Sequence, residues 1–249
     1  MRWERLGVRN YRGVLVPRTL GLWLASWAGA SAIAVAAVLH VGAPGWGTLG
    51  GLLLVAAAGL VDDLFPFGPR GLRNHVRFLL GGRVSTGILK LVATVGASVV
   101  VVALQPRRGT AFELAGVLLI AGSTNLWNGL DVAPGRALKA FLPAAAAVLL
   151  VWPPVVRLPF LPGLAAGAAI GLPFDVRERA MLGDGGSNLL GFAAGVGLYE
   201  VLPDGGVVVA ALLAVGLNVL ADTVTLSRLI QAFPPLRWLD SLGRIRPSG

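Results

Sequence analysis

Eight apolar stretches fill most of this sequence and leave it few ways to fold in water. They lie at about residues 19–41, 46–61, 86–104, 110–126, 137–153, 158–174, 187–202 and 206–229. A helix needs about 20 mostly apolar residues to cross a lipid bilayer. Charged residues make up only 13% of the chain, against roughly 25% in soluble domains. The pattern predicts an all-α fold, a polytopic membrane helix bundle with about eight transmembrane helices.

Basic residues are distributed unevenly between the two ends of the predicted spans. Of the 21 lysines and arginines, only Arg107, Arg108 and Arg157 fall on one side, which leaves 18 on the other. Lysine and arginine concentrate in the cytoplasmic segments of membrane proteins. Because eight spans return the chain to its starting side, we expect both termini in the cytoplasm. The net charge of +9 is then explained by topology and by attraction to anionic lipids, with no nucleic acid as partner.

The chain is predicted to form a single integral domain of the cytoplasmic membrane over residues 1–249. Residues 1–18 form a basic cytoplasmic lead-in, residues 62–85 a cytoplasmic loop with an amphipathic helix, and residues 230–249 a cytoplasmic tail. None of these segments is long enough to hold a hydrophobic core of its own. The chain has no cysteine and two histidines, which excludes thiolate chemistry and a multi-histidine metal centre.

Carboxylates stand at the ends of three predicted spans, where a charge is usually functional. They occur in the segments GLVDDLF (59–65), STNLWNGLD (123–131) and MLGDGGSNLLGF (181–192). Adjacent carboxylates such as Asp62 and Asp63 repel each other unless a cation lies between them, so they suit a Mg²⁺ site or a base. Glycines and a helix N-terminus around Asp184 suit an anion. A helix-capping role for Asp184 or Ser187 explains the same residues.

Asn125, Asn128 and Asp131 follow one another at intervals of three residues. At the end of a helix such residues share one face. Amide and carboxylate groups in one stripe can position a sugar, a base or a phosphate. A polar seam between packed helices explains the same spacing, and the residues alone leave both interpretations open.

Together these segments resemble the polyprenyl-phosphate N-acetylhexosamine-1-phosphate transferase superfamily, which includes the phospho-N-acetylmuramoyl-pentapeptide translocase of peptidoglycan synthesis. The resemblance runs from about Asn10 to Ile230, and MLGDGGSNLLGF is its most specific part. It implies a transferase that moves a phospho-sugar from a UDP-sugar to a polyprenyl phosphate at the cytoplasmic face of the membrane. It also implies a role in cell-envelope synthesis and a requirement for Mg²⁺ or Mn²⁺.

The resemblance assigns a role to each residue that matches a family motif. Asp62 and Asp63 are the implied catalytic carboxylates, and Asp184 with Asp63 is the implied metal site. The implied substrate-binding residues are Lys90, Asn125, Asn128, Asp131, Asp222 and Arg228. The expected partners are a UDP-sugar, a polyprenyl phosphate and membrane lipids, with a homodimer left open. The motifs do not specify which sugar, nucleotide or polymer is involved.

Departures from the family pattern keep two other functions open. Pro134 stands where the family usually has a second aspartate, Asp175 stands where it often has asparagine, and no histidine follows Arg228. One alternative is a non-catalytic relative that binds polyprenyl phosphate or serves a partner in envelope synthesis. Another is a lipid or small-molecule transporter, although transporters bind near the midplane and this chain gathers its polar motifs at one face.

Overall fold

The described part of the structure is mostly helical. The computed structural model describes residues 7–9, 12–68, 78, 80–151, 155–223 and 226–244, without the side chains of Asp222 and Thr223. Its helices are α1 (Leu20–Val38), α2 (Ala43–Leu64), α3 (Thr86–Leu104), α4 (Thr110–Leu130), α5 (Arg136–Val151), α6 (Leu161–Val176), α7 (Gly183–Val201), α8 (Asp204–Thr223), α9 (Leu226–Ala232) and α10 (Pro234–Ser241). Two short strands, β1 (Gly7–Arg9) and β2 (Leu15–Pro17), pair in antiparallel fashion before α1.

Each of the helices α1 to α8 overlaps one of the eight predicted apolar stretches. Four of them, α1, α2, α3 and α8, are long and apolar enough to cross a membrane. Helices α5 and α6 have 16 residues each, and at 1.5 Å per residue they are shorter than the roughly 30 Å hydrocarbon core of a bilayer. The four long helices indicate a membrane protein, whereas the count of eight spans and the side of the termini stay predictions.

The structure corrects several predicted boundaries. Helix α7 begins at Gly183 rather than near residue 187, so the GDGGS segment is helical and not a loop. The last predicted span ends at Thr223, and the separate helix α9 follows it. An all-α fold omits the hairpin of β1 and β2, whose turn uses Gly13 at a φ of +76°, a value that glycine tolerates well. The amphipathic helix predicted within 62–85 lies mostly outside the described residues.

Helix α7 lies at the centre of the bundle. It packs against α1, α2, α4 and α5, and nearly all of its residues are buried. Small residues permit this packing, as they typically do between membrane helices. A Cβ at Gly195 would lie 2.7 Å from the Cα of Ile120, and one at Gly59 of α2 would lie 2.5 Å from the carbonyl oxygen of Asp184. The first turn of α7 is therefore pressed against the end of α2.

The outer surface of the bundle is apolar. Ile33, Val92, Leu150 and Leu212 each have more than half of their surface exposed, and they belong to four different helices. A soluble monomer rarely exposes large apolar areas. The same side chains are well placed in contact with lipid tails, in agreement with the four long apolar helices.

Candidate functional site

Three segments that are distant in the sequence meet at Lys90. The Lys90 Nζ donates hydrogen bonds to Asp62 Oδ2 at 3.1 Å and to Asp184 Oδ2 at 2.6 Å. The hydroxyl of Thr86, one turn earlier on α3, donates to the other carboxylate oxygen of Asp62. We call Asp62, Lys90, Asp184 and Thr86 the lysine cluster. It joins the GLVDDLF segment to the MLGDGGS segment through the lysine that the family resemblance had singled out.

Helix ends place the lysine cluster at one end of the bundle. Asp62 lies in the last turn of α2, Lys90 near the start of α3, and Asp184 in the first turn of α7. Helix α2 packs against both α3 and α7, which brings the three ends together. The connection from α2 to α3 is fixed by a hydrogen bond from the Thr86 N–H to the Phe67 carbonyl at 3.0 Å. Asp62 and Asp63 are thus helical residues rather than loop residues.

Asp63 contacts a different set of groups from its neighbour. Its Oδ1 accepts a hydrogen bond from Arg18 at 3.0 Å, and its Oδ2 accepts one from the backbone N–H of Gly185 at 3.1 Å. A Cβ at Gly183, which has a φ of +64°, would lie 2.5 Å from Asp63 Oδ2. The glycines at the start of α7 therefore admit a carboxylate of the protein itself. Because the first N–H groups of a helix need outside acceptors, Asp63 acts here as a cap supplied by α2.

Accessibility separates the two aspartates further. The Asp63 side chain is only 5% exposed, whereas that of Asp62 is 19% exposed and that of Asp184 is 33% exposed. A cation or phosphate arriving from outside can reach Asp62 and Asp184 more readily than Asp63, although both oxygens of Asp62 also have hydrogen-bond partners. The geometry therefore favours Asp62 over Asp63 as the companion of Asp184.

The asparagine segment divides between two neighbouring helices. Asn128 Oδ1 accepts a hydrogen bond from the Ser187 hydroxyl of α7 at 3.0 Å, which places Asn128 one turn away from Asp184. Asn125 instead donates to Asn218 Oδ1 of α8 at 2.6 Å. Asn125 thus contributes to a polar seam between α4 and α8, while Asn128 lies beside the start of α7. The two asparagines, which were predicted to share one helix face, therefore contact different neighbouring helices.

Asp131 and Asp175 place two further carboxyl groups near the same end. Asp131 follows the last residue of α4, and burial, followed by the charges of Asp175, Asp184 and Asp63, raises its pKa well above the ordinary value. Asp175 is 3% exposed and accepts a hydrogen bond from the Gly135 N–H at 3.0 Å. Asp175 therefore fixes the turn between α4 and α5, which explains a carboxylate at this position without a ligand.

The remaining predicted site residues are less well placed. Asp222 lies in the last turn of α8, but its side chain is outside the described part of the structure. Arg228 is exposed on α9, a short helix that contacts α4. The Asn10-Tyr11 part of the lead-in is also outside the described residues. These assignments stay predictions.

The sequence interpretation missed two residues of the site, Arg18 and Thr86. Arg18 is positioned by the hairpin, because the Met181 N–H donates to the Pro17 carbonyl and the Leu20 N–H donates to the Met181 carbonyl. A signal for Arg18 was present, since it directly precedes the first apolar stretch. Asp63 is the second residue after the second stretch, and the start of the first span and the end of the second lie on the same side.

A second ion-pair network ties the C-terminal segment to this end of the bundle. Arg136, the first residue of α5, donates to both carboxylate oxygens of Asp240 at 2.9 and 3.0 Å. Arg244 also donates to Asp240 and, at 3.0 Å, to the Pro134 carbonyl. The side chains of Arg136 and Asp240 are 7% and 3% exposed. We call Arg136, Asp240 and Arg244 the tail network.

The lysine cluster has donor chemistry that suits a hard cation. Among the described residues there is no group of three or more His, Cys, Asp or Glu side chains that could hold a metal ion. Asp62 and Asp184 nevertheless converge on one ammonium group, and Mg²⁺ commonly uses one or two carboxylates together with water and substrate phosphates. The residues present therefore fit Mg²⁺ or Mn²⁺ in the company of a phosphorylated substrate.

Comparison with known proteins does not place the chain in a family. No model of a known protein family matches the sequence, and no curated protein matches it significantly. The resemblance to the phospho-sugar transferases therefore depends on the motifs themselves. The contacts among Asp62, Lys90 and Asp184 provide the geometry on which a function can be proposed.

Proposed function

We propose that this chain is a membrane phosphoglycosyl transferase that moves a phospho-N-acetylhexosamine, or a related phospho-sugar, from a UDP-sugar to a polyprenyl phosphate. The supporting observation is that the side chains of Asp62, Lys90 and Asp184 meet at a site that is accessible from outside. Ion pairs that serve stability alone contribute little net energy, whereas interacting charges gathered at an accessible site are common in functional centres. The alternation of negative and positive groups also suits a substrate that carries phosphates.

The proposed reaction assigns a task to each member of the lysine cluster. An oxygen of the lipid phosphate bonds to the phosphorus that bears the sugar, while the bond from that phosphorus to the bridging oxygen breaks and its electron pair leaves with UMP. Asp62 orients the lipid phosphate or accepts its proton, and Lys90 pairs with a phosphate oxygen. When bound at Asp184 and Asp62, Mg²⁺ would supply neutralisation of the diphosphate charge.

A cavity beside Asp63 suits the lipid substrate. It has a volume of about 160 Å³ and lies between α1, α2 and the start of α7. Arg18 and Asp63 line its polar end, and Leu22, Ala25 and Leu53 line its apolar part. A short part of the lipid chain would lie along the apolar side between α1 and α2, and Arg18 would add a cationic group at the polar end.

The decisive test of the proposal is turnover. Purified protein is incubated with polyprenyl phosphate, Mg²⁺ and a panel of UDP-sugars, and the release of UMP is measured together with formation of the lipid-linked sugar. We expect release with at least one UDP-sugar, and only when the lipid phosphate is present. Failure of every sugar in the panel would count against catalysis.

A non-catalytic lipid-phosphate binder is the second candidate function. It is favoured by one observation: every carboxylate of Asp62, Asp63 and Asp184 already has a cationic or N–H partner without a metal ion. Polar groups that already have partners within the protein can stabilise the fold without taking part in a reaction. Binding of polyprenyl phosphate with no UMP release from any UDP-sugar would identify this function.

Topology can be tested by cysteine labelling, because the natural chain contains no cysteine. We expect cysteines at Pro106 and Gly205 to react with a membrane-impermeant reagent from outside the cell, and a cysteine at Leu80 to react only after lysis. All three positions are exposed, and a Cβ at Gly205 meets no atom within 4 Å. Labelling of Leu80 in intact cells would place the lysine cluster on the wrong side for a cytoplasmic UDP-sugar.

The role of Asp184 can be tested against a matched aspartate. Asp184→Asn keeps the size of the side chain but removes the charge that a hard cation requires, so we expect Mg²⁺-dependent binding of the UDP-sugar to weaken at least tenfold, about 1.4 kcal/mol. Asp204 also lies in the first turn of a helix but outside the cluster, and Asp204→Asn should leave binding unchanged. Titration calorimetry measures both variants. Equal affinities for the two variants would reduce Asp184 to a structural partner of Lys90.

A further inference from the structure

A larger cavity lies between α5, α6 and the C-terminal helix α10. Its volume is about 480 Å³, and no residue of the lysine cluster lines it. Leu142, Leu172, Leu239 and Leu242 form apolar walls, and Lys139 and Arg177 contribute the charges. We call this cavity the tail groove. Its mixture of apolar wall and cationic side chains suits an amphiphile that carries negative charge.

Helix α10, which forms one wall of the tail groove, is polar on the inside and apolar on the outside. Its only buried residue is Asp240, whereas Leu236, Trp238 and Leu239 are 47%, 62% and 48% exposed. In water such an apolar face is unfavourable, but at a membrane surface it enters the boundary between headgroups and acyl chains. Trp238 beside Arg237 is typical of that boundary. The tail groove therefore opens at the level of lipid.

The positive charge in the tail groove is not neutralised by salt bridges. Lys139 donates to two backbone carbonyls, Leu239 O at 3.1 Å and Asp240 O at 2.9 Å. Within the described part of the chain, neither Lys139 nor Arg177 forms a salt bridge with a carboxylate. The carboxylate of Asp240, whose backbone carbonyl accepts from Lys139, forms its ion pairs with Arg136 and Arg244. The groove thus offers two cationic groups beside an apolar wall.

We propose that the tail groove binds one anionic phospholipid of the surrounding membrane. The lipid phosphate lies between Lys139 and Arg177, and one acyl chain lies along Leu142, Leu172 and Leu242. Basic pockets between membrane helices are known to bind anionic headgroups. A volume near 480 Å³ is within the range of about 300–1,000 Å³ typical of small-ligand pockets, so the groove holds the headgroup and part of one chain. By bridging α6 and α10 the lipid would fix the C-terminal segment in place.

The proposal is tested with the full chain, purified in detergent and stripped of lipid. Phosphatidylglycerol and phosphatidylcholine with identical acyl chains are titrated in, and bound lipid is counted by native mass spectrometry. We expect one phosphatidylglycerol per chain, a saturable rise in the unfolding temperature, and neither effect with phosphatidylcholine. Glycerol phosphate without acyl chains should have no effect; stabilisation by it would show that the occupant is a soluble phosphate and overturn the proposal.

Variants locate the lipid on the protein. Arg177→Gln should weaken the binding of phosphatidylglycerol about fivefold, since each basic residue near an anionic lipid surface contributes roughly that factor to the affinity. Leu142→Phe fills the apolar part of the tail groove. It should weaken the binding of phosphatidylglycerol while leaving Lys139 and its contacts to α10 intact. Arg107→Gln removes an arginine that is 80% exposed and lies outside the groove, and it should have no effect. Unchanged affinity in both groove variants, or equal binding of the two lipids, would contradict the assignment.

Discussion

Lys90→Met is expected to reduce turnover of the proposed phospho-sugar transfer by about 10²–10³-fold, the range that follows removal of one preorganised group that stabilises transition-state charge. Lys90 donates hydrogen bonds to both Asp62 and Asp184. Without its ammonium group, the phosphate loses a cationic partner and two carboxylates face each other unshielded. Methionine keeps the unbranched apolar stem, so packing on α3 should change little. UMP release measures the effect.

The same variant separates catalysis from structure through its metal affinity. Lys90 lies between the two carboxylates that would hold Mg²⁺, so the lysine competes with the ion. We expect Lys90→Met to bind Mg²⁺ more tightly than wild type while turning over more slowly. Arg107→Met, a control at an exposed arginine, should change neither quantity. If Lys90→Met lost turnover and also unfolded at a markedly lower temperature than wild type, the role of Lys90 would be to stabilise the fold.

Asp240→Ala is expected to destabilise the protein by about 3–5 kcal/mol, the usual loss when one partner of a buried ion pair is removed. Arg136 would remain 7% exposed with its guanidinium facing no carboxylate, and Arg244 would lose the same partner. Limited proteolysis should then release the segment after α9 faster than in wild type. Thermal unfolding in detergent gives the change in stability.

The double variant Arg136→Met with Asp240→Leu serves as the control for that prediction. Well-packed apolar replacements of buried ion pairs are often neutral or stabilising, so the double variant should recover most of the stability that Asp240→Ala loses. Arg136 also donates to the Ser227 hydroxyl at 2.8 Å, and the loss of this bond limits the recovery. A double variant as unstable as the single one would show that packing of α10, rather than charge, holds the tail.

Acid should weaken the tail network in a defined range of pH. Burial alone would raise the pKa of Asp240, but the hydrogen bonds and charges of Arg136 and Arg244 lower it below its ordinary value of 3.8. A lowered pKa in the folded state contributes stability that is complete above the ordinary pKa and is lost as the pH falls through the folded value. Wild type should therefore resist proteolysis of the tail at pH 5 and lose that resistance progressively as the pH falls below 3.8 towards the lower pKa of the folded state. Asp240→Ala should show no such change in this range.

The sequence predicted helices better than it predicted their ends. The stretch at 86–104 coincides with α3 because Ser85 caps the helix by accepting a hydrogen bond from the Ile88 N–H, and Pro106 follows its end. Helix α7 began earlier than predicted because GDGGS was interpreted as a loop. Those glycines serve close packing: a Cβ at Gly186 would lie 2.9 Å from the Cα of Gly21. Local propensity cannot reveal a requirement that another helix imposes.

The sequence also predicted the members of the candidate site better than their contacts. Asp62, Lys90 and Asp184 were singled out, and the structure brings them within hydrogen-bonding distance. The division of labour between Asp62 and Asp63 was not predictable, because neighbours on a helix point about 100° apart and their partners lie on other helices. Arg136 and Asp240 were missed for the same reason, since their pairing depends on how the C-terminal segment folds back against the start of α5.

The pairing of Arg136 with Asp240 affects how the protein folds while it is being synthesised. Arg136 and Asp240 are separated by 104 residues, and at about 5–20 residues per second the ribosome adds the carboxylate roughly 5–20 seconds after the guanidinium. During that interval α5 can insert and find α7, but its first residue has no counter-charge. A chain that stops short of Asp240 keeps this defect permanently. The ion pair therefore makes this step of packing depend on translation through Asp240, so that chains terminated before that residue stay open to proteases.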